Sequence, residues 1–579
     1  MIAKKSIRCR TVPEDARLPG DSRLHPLLRR IYAARHVRDN DWESGLAALH
    51  PPDSLKGLTA ALDLLETALE QRQHILVVGD FDADGATSSA LLVAALREMG
   101  AAQVDYLVPD RFKFGYGLTP EIVDVALARK PDLLITVDNG ISSLEGVARA
   151  RAAGIRVLIT DHHLPGASLP AADAIVNPNQ PGDTFPSRSL AGVGVAFYLA
   201  MALRSHLREQ GWFTRQAIAE PNLAAYLDLV ALGTVADVVP LDRNNRLLVR
   251  QGLLRIRAGH CRPGIRALLK VAGRNPSRVV ASDFGFAAGP RLNAAGRLDD
   301  MSLGIECLLS DSESRADTLA QQLDALNRER REIETDMKAD AMQHLDAMQL
   351  DRNDLPAGFC LYDTGWHQGV IGILASRIKE QFHRPVIVFA DAGEGELKGS
   401  ARSIPGLHIR DALDAVAARH PGLVKKFGGH AMAAGLSLET VKLNAFRKAF
   451  IAELETQLDE DALTGVLETD GELQPDDFSL ELSELLRDAG PWGQGFPEPL
   501  FDGLFKVLSV RVVGERHLKL SLRPRDGGPM LDAIAFGQAE RFVPDKGSQV
   551  RAVYRLDSNE YRGMLSLQLV IEWLEVGVG

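Results

Sequence analysis

The chain is predicted to be a mixed α/β protein: a doubly wound parallel-sheet domain, a long connecting helix, a smaller α/β domain and a C-terminal β-barrel. Three observations predict this. Short apolar runs in the first half end in carboxylates and alternate with helical patterns. Residues 311–352 contain neither Pro nor Gly. After Glu472, five alternating segments are separated by turns rich in Gly, Asp and Pro.

The apolar runs set the first domain. Residues 74–79 break into Asp80-Phe81-Asp82-Ala83-Asp84-Gly85, residues 133–137 into Asp138-Asn139-Gly140, and residues 156–160 into Asp161-His162-His163. Short apolar runs bounded by turn signals read as buried parallel strands. Helical patterns at 86–99, 121–128 and 144–153 lie between them, and such strand-helix repetition requires crossovers in a parallel sheet. At 579 residues the chain should hold roughly three or four domains of about 150 residues. Residues 1–60 form a polar lead-in, expected to be helical, and 61–310 the doubly wound domain with a helical basic region. Residues 311–354 form a connecting helix whose mixed charges suit solvent exposure. Residues 355–460 make the smaller α/β domain, and 461–579 the barrel. Five short strands suit an OB-like barrel, a type that commonly binds single strands. A different β-domain with a structural role fits the same strand count.

Composition excludes several classes. Hydrophobic content of 45% and charged content of 25% are ordinary for a protein with large cores. The four cysteines, Cys9, Cys261, Cys307 and Cys360, are far apart and show no zinc or disulfide spacing, which points to a reducing compartment. No apolar signal core follows the basic start, and no stretch suits a bilayer, so no membrane association and a cytoplasmic location are expected. The net charge of −11 argues mildly against a nucleic-acid partner. Residues 243–278, however, hold Arg243, Arg246, Arg250, Arg255, Arg257, Arg262, Arg266, Lys270, Arg274 and Arg278 and no acid. That segment reads either as a local surface for a polyanion or as a solvated helical face.

In open α/β sheets, ligands bind outside the carboxyl ends of the strands. Three strands would deliver acids and imidazoles into one crevice, where a cation is the simplest reason to gather them. In an extended chain Asp80, Asp82 and Asp84 would point to one side, with Gly85 permitting a turn into the next helix. Carboxylates with one or two imidazoles suit Mn²⁺ or Mg²⁺. A calcium loop is disfavoured because its closing position falls on Leu91 or Leu92, not on Glu.

These motifs, in this order, resemble the DHH phosphoesterases. Ala236-Asp237-Val238-Val239-Pro240-Leu241 matches that family's fourth acidic motif, and residues 289–297 (GPRLNAAGR) narrow the likeness to its single-strand-specific exonuclease branch. Gly428-Gly429-His430 matches the associated DHHA1 domain. The resemblance implies two metal ions: Asp82 on one, Asp84 on the other, Asp138 bridging the pair, and His162 and Asp237 completing the ligand set of the second ion. Several relatives carry a histidine on the first ion at the Val78 position, so Asp80 is the expected substitute there, directly or through water. Asp161 and His163 would orient ligands or touch phosphate. Two cations about 3.5–4 Å apart activate water and neutralise an in-line displacement, so no covalent intermediate is expected. Ser400, Arg402 and His430 are the implied phosphate contacts, and Arg111 and Tyr116, in the run 111–117, would guide the strand's end. Arg291, Asn293 and Arg297 are further substrate-binding candidates. Trp366, His367 and Gln368 match another family motif or serve packing.

The implied activity is 5′-3′ hydrolysis of single-stranded DNA to 5′-mononucleotides in recombination and repair. The implied enzyme is a monomer that cooperates with single-strand-binding protein and a helicase. An enzyme acting on pyrophosphate, cyclic dinucleotides or very short RNA is the first alternative, although such relatives need neither barrel nor basic segment. A non-catalytic replication scaffold is the second, opposed by the presence of all five principal ligands.

Overall fold

The structure is a computed structural model that describes residues 5–13, 24–38, 45–111, 113–347, 355–561 and 563–576. Phe112 of the 111–117 motif and the end of the expected connecting helix, 348–354, lie outside the described residues. The chain forms two compact units. The first is Val12–Asn327 with Leu480–Pro499; the second is Met1–Thr11, Arg328–Ser479 and Leu500–Gly579. No helix among the described residues is long and apolar enough to cross a membrane.

The expected helical lead-in is only partly helical. Its first element is strand β1 (Lys5–Cys9), which pairs in parallel with residues 465–469 of the second unit, and a helix follows at Pro26–Ala33. The short alternating sequence KSIRC suits a paired strand, and a helix of five residues would not hold by itself.

The first unit carries an all-parallel sheet of β2 (His74–Gly79), β3 (Gln103–Leu107), β4 (Leu133–Val137), β5 (Arg156–Thr160) and β6 (Ala174–Val176), in the order β3-β2-β4-β5-β6. Every residue of β2 and β4 is buried. Leu76, Val78, Leu134, Val157 and Ile159 pack one face against Ile122, Val123, Val147 and Ala150 of two helices. The helices Ala83–Glu98 and Gly192–Glu209 contact the same sheet. The chain runs from β2 out to β3 and then crosses to β4 on the other side of β2. Crevices at such reversals are where α/β sheets bind ligands. In register, Gly79 lies opposite Val137 and Val137 opposite Thr160. The next residues, Asp80, Asp138 and Asp161, therefore leave the sheet side by side.

Helix Glu313–Ala347 carries the chain into the second unit. It is not solvated all round, as its charge mixture suggested. Ala316, Ala320 and Leu323 are buried in the first unit, and Met337, Ala341 and Leu345 in the second, a stripe at near-helical spacing that the abundant charges obscure.

In the second unit, β7 (Phe359–Tyr362), β8 (Val386–Gly393), β9 (Glu396–Arg402), β10 (Lys426–Gly429) and β11 (Ala433–Glu439) form a sheet in the order β10-β11-β9-β8-β7. Only β7 and β8 are parallel. Strand β12 (Gly465–Thr469) takes β1 as its partner. The last five strands, β13 (Phe501–Val513), β14 (His517–Pro524), β15 (Leu531–Ala535), β16 (Gln549–Tyr561) and β17 (Met564–Val576), close a barrel in the order β13-β14-β15-β17-β16.

Candidate metal centre

The loop after β2 departs from the extended form that its alternation suggests. Helix Ala83–Glu98 begins inside the acidic run, and Asp82 is its N-cap, accepting from the backbone N–H groups of Asp84 (2.9 Å) and Gly85 (3.1 Å). Capping by an acid wins because it satisfies otherwise orphaned donors at the positive end of the helix dipole. Gly85 is needed for a close approach rather than a turn: a Cβ there would stand 2.4 Å from the Asp80 carbonyl oxygen. Asp84 sits in the first helical turn, 1% exposed, and its carboxylate accepts from the backbone of Gly192 (2.5 Å) and Val193 (2.9 Å). Those two residues open helix Gly192–Glu209, so a second helix N-terminus faces this acid.

Asp138 follows β4 with a left-handed backbone (φ 61), a conformation Asp tolerates better than most residues. Its side chain packs so closely on Gly192 that a Cβ at 192 would stand 2.6 Å from the Asp138 Cβ. After β5, Asp161 is consumed in holding its own turn. It accepts from the N–H groups of His162 (2.7 Å), His163 (3.1 Å) and Ile141 (2.9 Å), and pairs with His163 Nδ1 at 2.7 Å. Asn179 and Asn177 donate to the carbonyls of His162 and His163 from the far side. Asp237 caps helix Leu227–Ala236 at its C-terminus.

These elements bring seven groups together. The ligand atoms of Asp80, Asp82 and Asp138 lie within 4.8 Å of one another, as do those of Asp84, His162 and Asp237, and those of Asp138, His162 and His163. His162 Nε2 stands 3.1 Å from Asp138 Oδ1, 3.4 Å from Asp237 Oδ2 and 4.0 Å from Asp84 Oδ2. Burial, and then neighbouring carboxylates, hold Asp80, Asp138 and Asp237 well above the usual carboxylate range and push Asp84 up to about 7. The opposite holds for the Asp161–His163 pair. Burial opposes both charges, yet their mutual hydrogen bond and attraction lower Asp161 and raise His163 to about 9. Oδ1 of Asp80, Oδ1 of Asp138 and Oδ2 of Asp237 are buried without a hydrogen-bond partner. Buried carboxylate oxygens left so are costly unless a cation meets them, and an oxygen-rich set with one imidazole fits Mn²⁺ or Mg²⁺.

Around this core, Tyr116 Oη lies 3.2 Å from His163 Nδ1 and 3.4 Å from the Asp138 carbonyl oxygen, and the Arg111 guanidinium stacks 4.4 Å over the Phe81 ring. Asn293 Oδ1 accepts from Ala83 N at 2.8 Å, and so braces the acidic loop. Arg291 is buried, paired with Asp324 at 2.8 Å and donating to the Ala287 carbonyl at 2.7 Å. Arg297 lies in the last turn of the same helix, Gly289–Leu298. In the second unit, Ser400 and Arg402 sit on β9, where Arg402 Nη1 donates to Ser400 Oγ at 3.0 Å. A Cβ on Gly372 would stand 2.8 Å from Arg402 and 3.0 Å from Ser400, so that glycine keeps room beside them. His430 follows β10, its N–H donating to the Ala433 carbonyl. Trp366 is buried in the core of that unit.

The basic segment does not form a free basic face. Arg257 pairs with Asp488 (3.0 Å), Arg262 with Asp228 (3.1 Å), Lys270 with Asp317 (2.8 Å), Arg274 with Asp283 (3.2 Å), Arg278 with Glu484 (2.8 Å), and Arg266 with Glu313. Arg243 donates to the Ala48 carbonyl, and Arg246 stacks over Phe496. Apart from Asp283, nine residues beyond Arg274, these partners are distant in sequence. The motifs also gave no sign of Asn177, Asn179, Gly192 or Val193; the only available signal was the paired glycines Gly192 and Gly194 opening a helix.

The family descriptions "DHH family, N-terminal domain", "DHHA1 domain" and "RecJ OB domain" match residues 74–234, 356–456 and 469–573. The chain is 57% identical to the single-stranded-DNA-specific exonuclease RecJ of Escherichia coli K12, over 98% of each chain. It also superposes on the crystal structure of RecJ in complex with Mn²⁺ from Thermus thermophilus, with TM-score 0.79 and 30% identity, covering 100% of this chain and 80% of that one. The Mg²⁺ complex of the same Thermus protein matches with TM-score 0.75 and 29% identity, over 100% and 79%.

Proposed function

The chain belongs to the RecJ family of single-stranded-DNA-specific exonucleases, and on that premise we propose that it hydrolyses single-stranded DNA from the 5′ end to 5′-mononucleotides, in recombination and repair. One observation carries the reading. Asp80, Asp82, Asp84, Asp138, His162 and Asp237 converge at the carboxyl ends of adjacent strands, with buried oxygens that lack a donor. Asp80, Asp82 and Asp138 are the residues to hold one divalent cation, Mn²⁺ or Mg²⁺, and Asp84, His162 and Asp237 a second, with Asp138 facing both sets. A bound pair of such ions supplies charge neutralisation for the phosphodiester and an acidified water.

The chain's own groups do the positioning. Asp161 fixes the turn that aims His162, and the backbone N–H groups of Gly192 and Val193 hold the Asp84 carboxylate in one orientation. Such donors raise the precision of a ligand without binding metal themselves. His163, steadied by Asp161, and the Tyr116 hydroxyl beside it form a donor pair for a phosphate oxygen, and Arg111 adds a guanidinium at the same end of the sheet. Ser400, Arg402 and His430 are the second unit's phosphate contacts, a hydroxyl and a guanidinium fork suited to that group. Arg291 and Asn293 act as braces rather than as substrate contacts. The enzyme works as a monomer in the cytoplasm, on strands opened by a helicase and coated by single-strand-binding protein.

Incubation with Mn²⁺ and end-labelled single strands, duplexes, dinucleotides and pyrophosphate tests the reading. Mononucleotides should appear from the 5′ end of single strands, with duplexes resistant. Turnover of only pyrophosphate or dinucleotides would replace this function with small-phosphate chemistry.

A further inference from the structure

We infer that Phe286 is a stacking platform for one unpaired base of the strand, placed beside the metal centre; the inference rests on the single-stranded substrate proposed above. Phe286 is 77% exposed, against 60% for Phe536 and 50% for Tyr116, while Phe284, two positions earlier, is fully buried. Both belong to a single π-helical turn, Phe284–Ala288. Such turns are rare and frequently mark functional sites, because they cost hydrogen-bond geometry that packing must offset.

This turn is held from several sides. Arg291, itself anchored on Asp324, donates to the Ala287 carbonyl, and Gly289 N–H donates to the Phe284 carbonyl. A Cβ on Gly285 would meet Val235 at 3.6 Å, and one on Gly289 would meet Ala236 at 3.1 Å. The turn therefore packs on the last residues of the helix that ends in Asp237. The helix continuing from it, Gly289–Leu298, braces the other side of the centre. Asn293 bonds Ala83 N–H there, and Gly296 lies so close to the Phe81 carbonyl oxygen that a Cβ would stand 1.7 Å away. One continuous segment thus touches the loop of Asp82 and Asp84 and the end bearing Asp237, and from it a single ring projects into solvent. Next to Asp237, Val238 is also 61% exposed, adding apolar surface at this rim.

An exposed phenyl ring offers a strand no charge and no hydrogen bond. It offers a flat π-face, which every base can match without regard to sequence. A substrate whose phosphates must reach the acidic cluster carries its bases past the surrounding rim. A ring on a braced turn there loses little freedom when a base stacks on it.

The test compares wild type with Phe286→Ala, Phe286→Leu and Phe286→Trp. Position-scanned 2-aminopurine strands bound in the presence of a chelator report stacking, and Mn²⁺-dependent degradation of the same strands reports turnover. Wild type should quench 2-aminopurine at one position near the 5′ end, with the quench lost in Phe286→Ala and Phe286→Leu and kept in Phe286→Trp. KM should rise about tenfold in the first two variants, with kcat little changed. An abasic nucleotide at the quenched position should cost wild type a similar factor and Phe286→Ala nothing further. Equal quench and KM in wild type and Phe286→Leu would overturn the platform, as would an abasic penalty that persists in Phe286→Ala. Quench without any turnover of strands would sink the exonuclease reading and leave the platform standing.

Discussion

The acidic centre and the basic segment 243–278 are two charge clusters within the same unit, and they are built by opposite rules. In the acidic centre, carboxylates are buried beside one another, and oxygens of Asp80, Asp138 and Asp237 have no hydrogen-bond partner. In the basic segment, eight of the ten cations meet a carboxylate, a carbonyl or a ring from another part of the unit. Both clusters stand out in the sequence as runs of like charge. What separates them is whether the fold supplies counter-charges. A cluster whose charges the fold completes is part of the structure, and one left incomplete in a buried place awaits something from outside.

The sharpest way to break that contrast is to remove one charge from each cluster. Asp138→Asn keeps the shape, and Asn tolerates the left-handed backbone at this position. Hydrolysis of single strands should fall by about two to three orders of magnitude or more, while affinity for the strand changes little. The chelated variant should melt no lower than chelated wild type, because a repelled carboxylate has been neutralised. Added Mn²⁺ should raise the melting temperature of wild type and leave the variant nearly unmoved. Melting well below wild type in chelator would mean that Asp138 belongs to the structure as Arg262 does. Retained hydrolysis would remove it from the centre altogether.

Arg262→Ala is the counterpart. It leaves Asp228, which is 1% exposed, without its guanidinium, and the loss should be about 3–5 kcal/mol of stability. Hydrolysis per folded molecule should be unchanged. A loss of strand affinity at constant stability would restore the basic segment as a binding surface. Lys270→Ala sharpens the same point more gently. Its partner Asp317 is partly solvated and the ammonium mostly so, so denaturant titration should find less than about 1 kcal/mol.

The sequence made the acidic centre legible because strand periodicity and chain order are local. Three apolar runs, each ending in an acid, specify a sheet and the edge where the acids gather. Where a local rule competed with another, the reading failed. Alternation suggested that Asp80, Asp82 and Asp84 lie along a strand, but the orphaned N–H groups of a helix start captured Asp82 as a cap. The roles of Arg291 and Asn293 depend on Asp324, Ala287 and Ala83, and those of the basic segment on Asp228, Asp317, Glu484 and Asp488. Such long-range partners leave no periodic trace. The exposure of Phe286 was hidden for the same reason, since a phenylalanine two positions from another reads as core until a π-turn rotates one of them outward.

The smallest expected effect concerns a cluster that the fold completes at the surface. Glu468 on β12 meets Arg8 at 2.9 Å and Arg10 at 3.3 Å, across the five-residue pairing of β1 with β12. The Arg8 hydrogen bond, opposed by partial burial and assisted by Arg10, holds Glu468 below its usual 4.5. A carboxyl with a lowered value in the folded state stabilises above its unfolded value and loses that contribution as pH falls through the folded one. Glu468→Gln should therefore cost stability at pH 7 and nothing once the pH is below the lowered value. With the carboxylate 42% exposed, solvent screening keeps the difference under about 1 kcal/mol, and added salt should shrink it further. Denaturant titrations of both proteins at pH 7 and at about pH 3 give the comparison. A penalty that grew on acidification would show that Glu468 is held protonated, and that this surface cluster, like the acidic centre, lacks the counter-charge it needs.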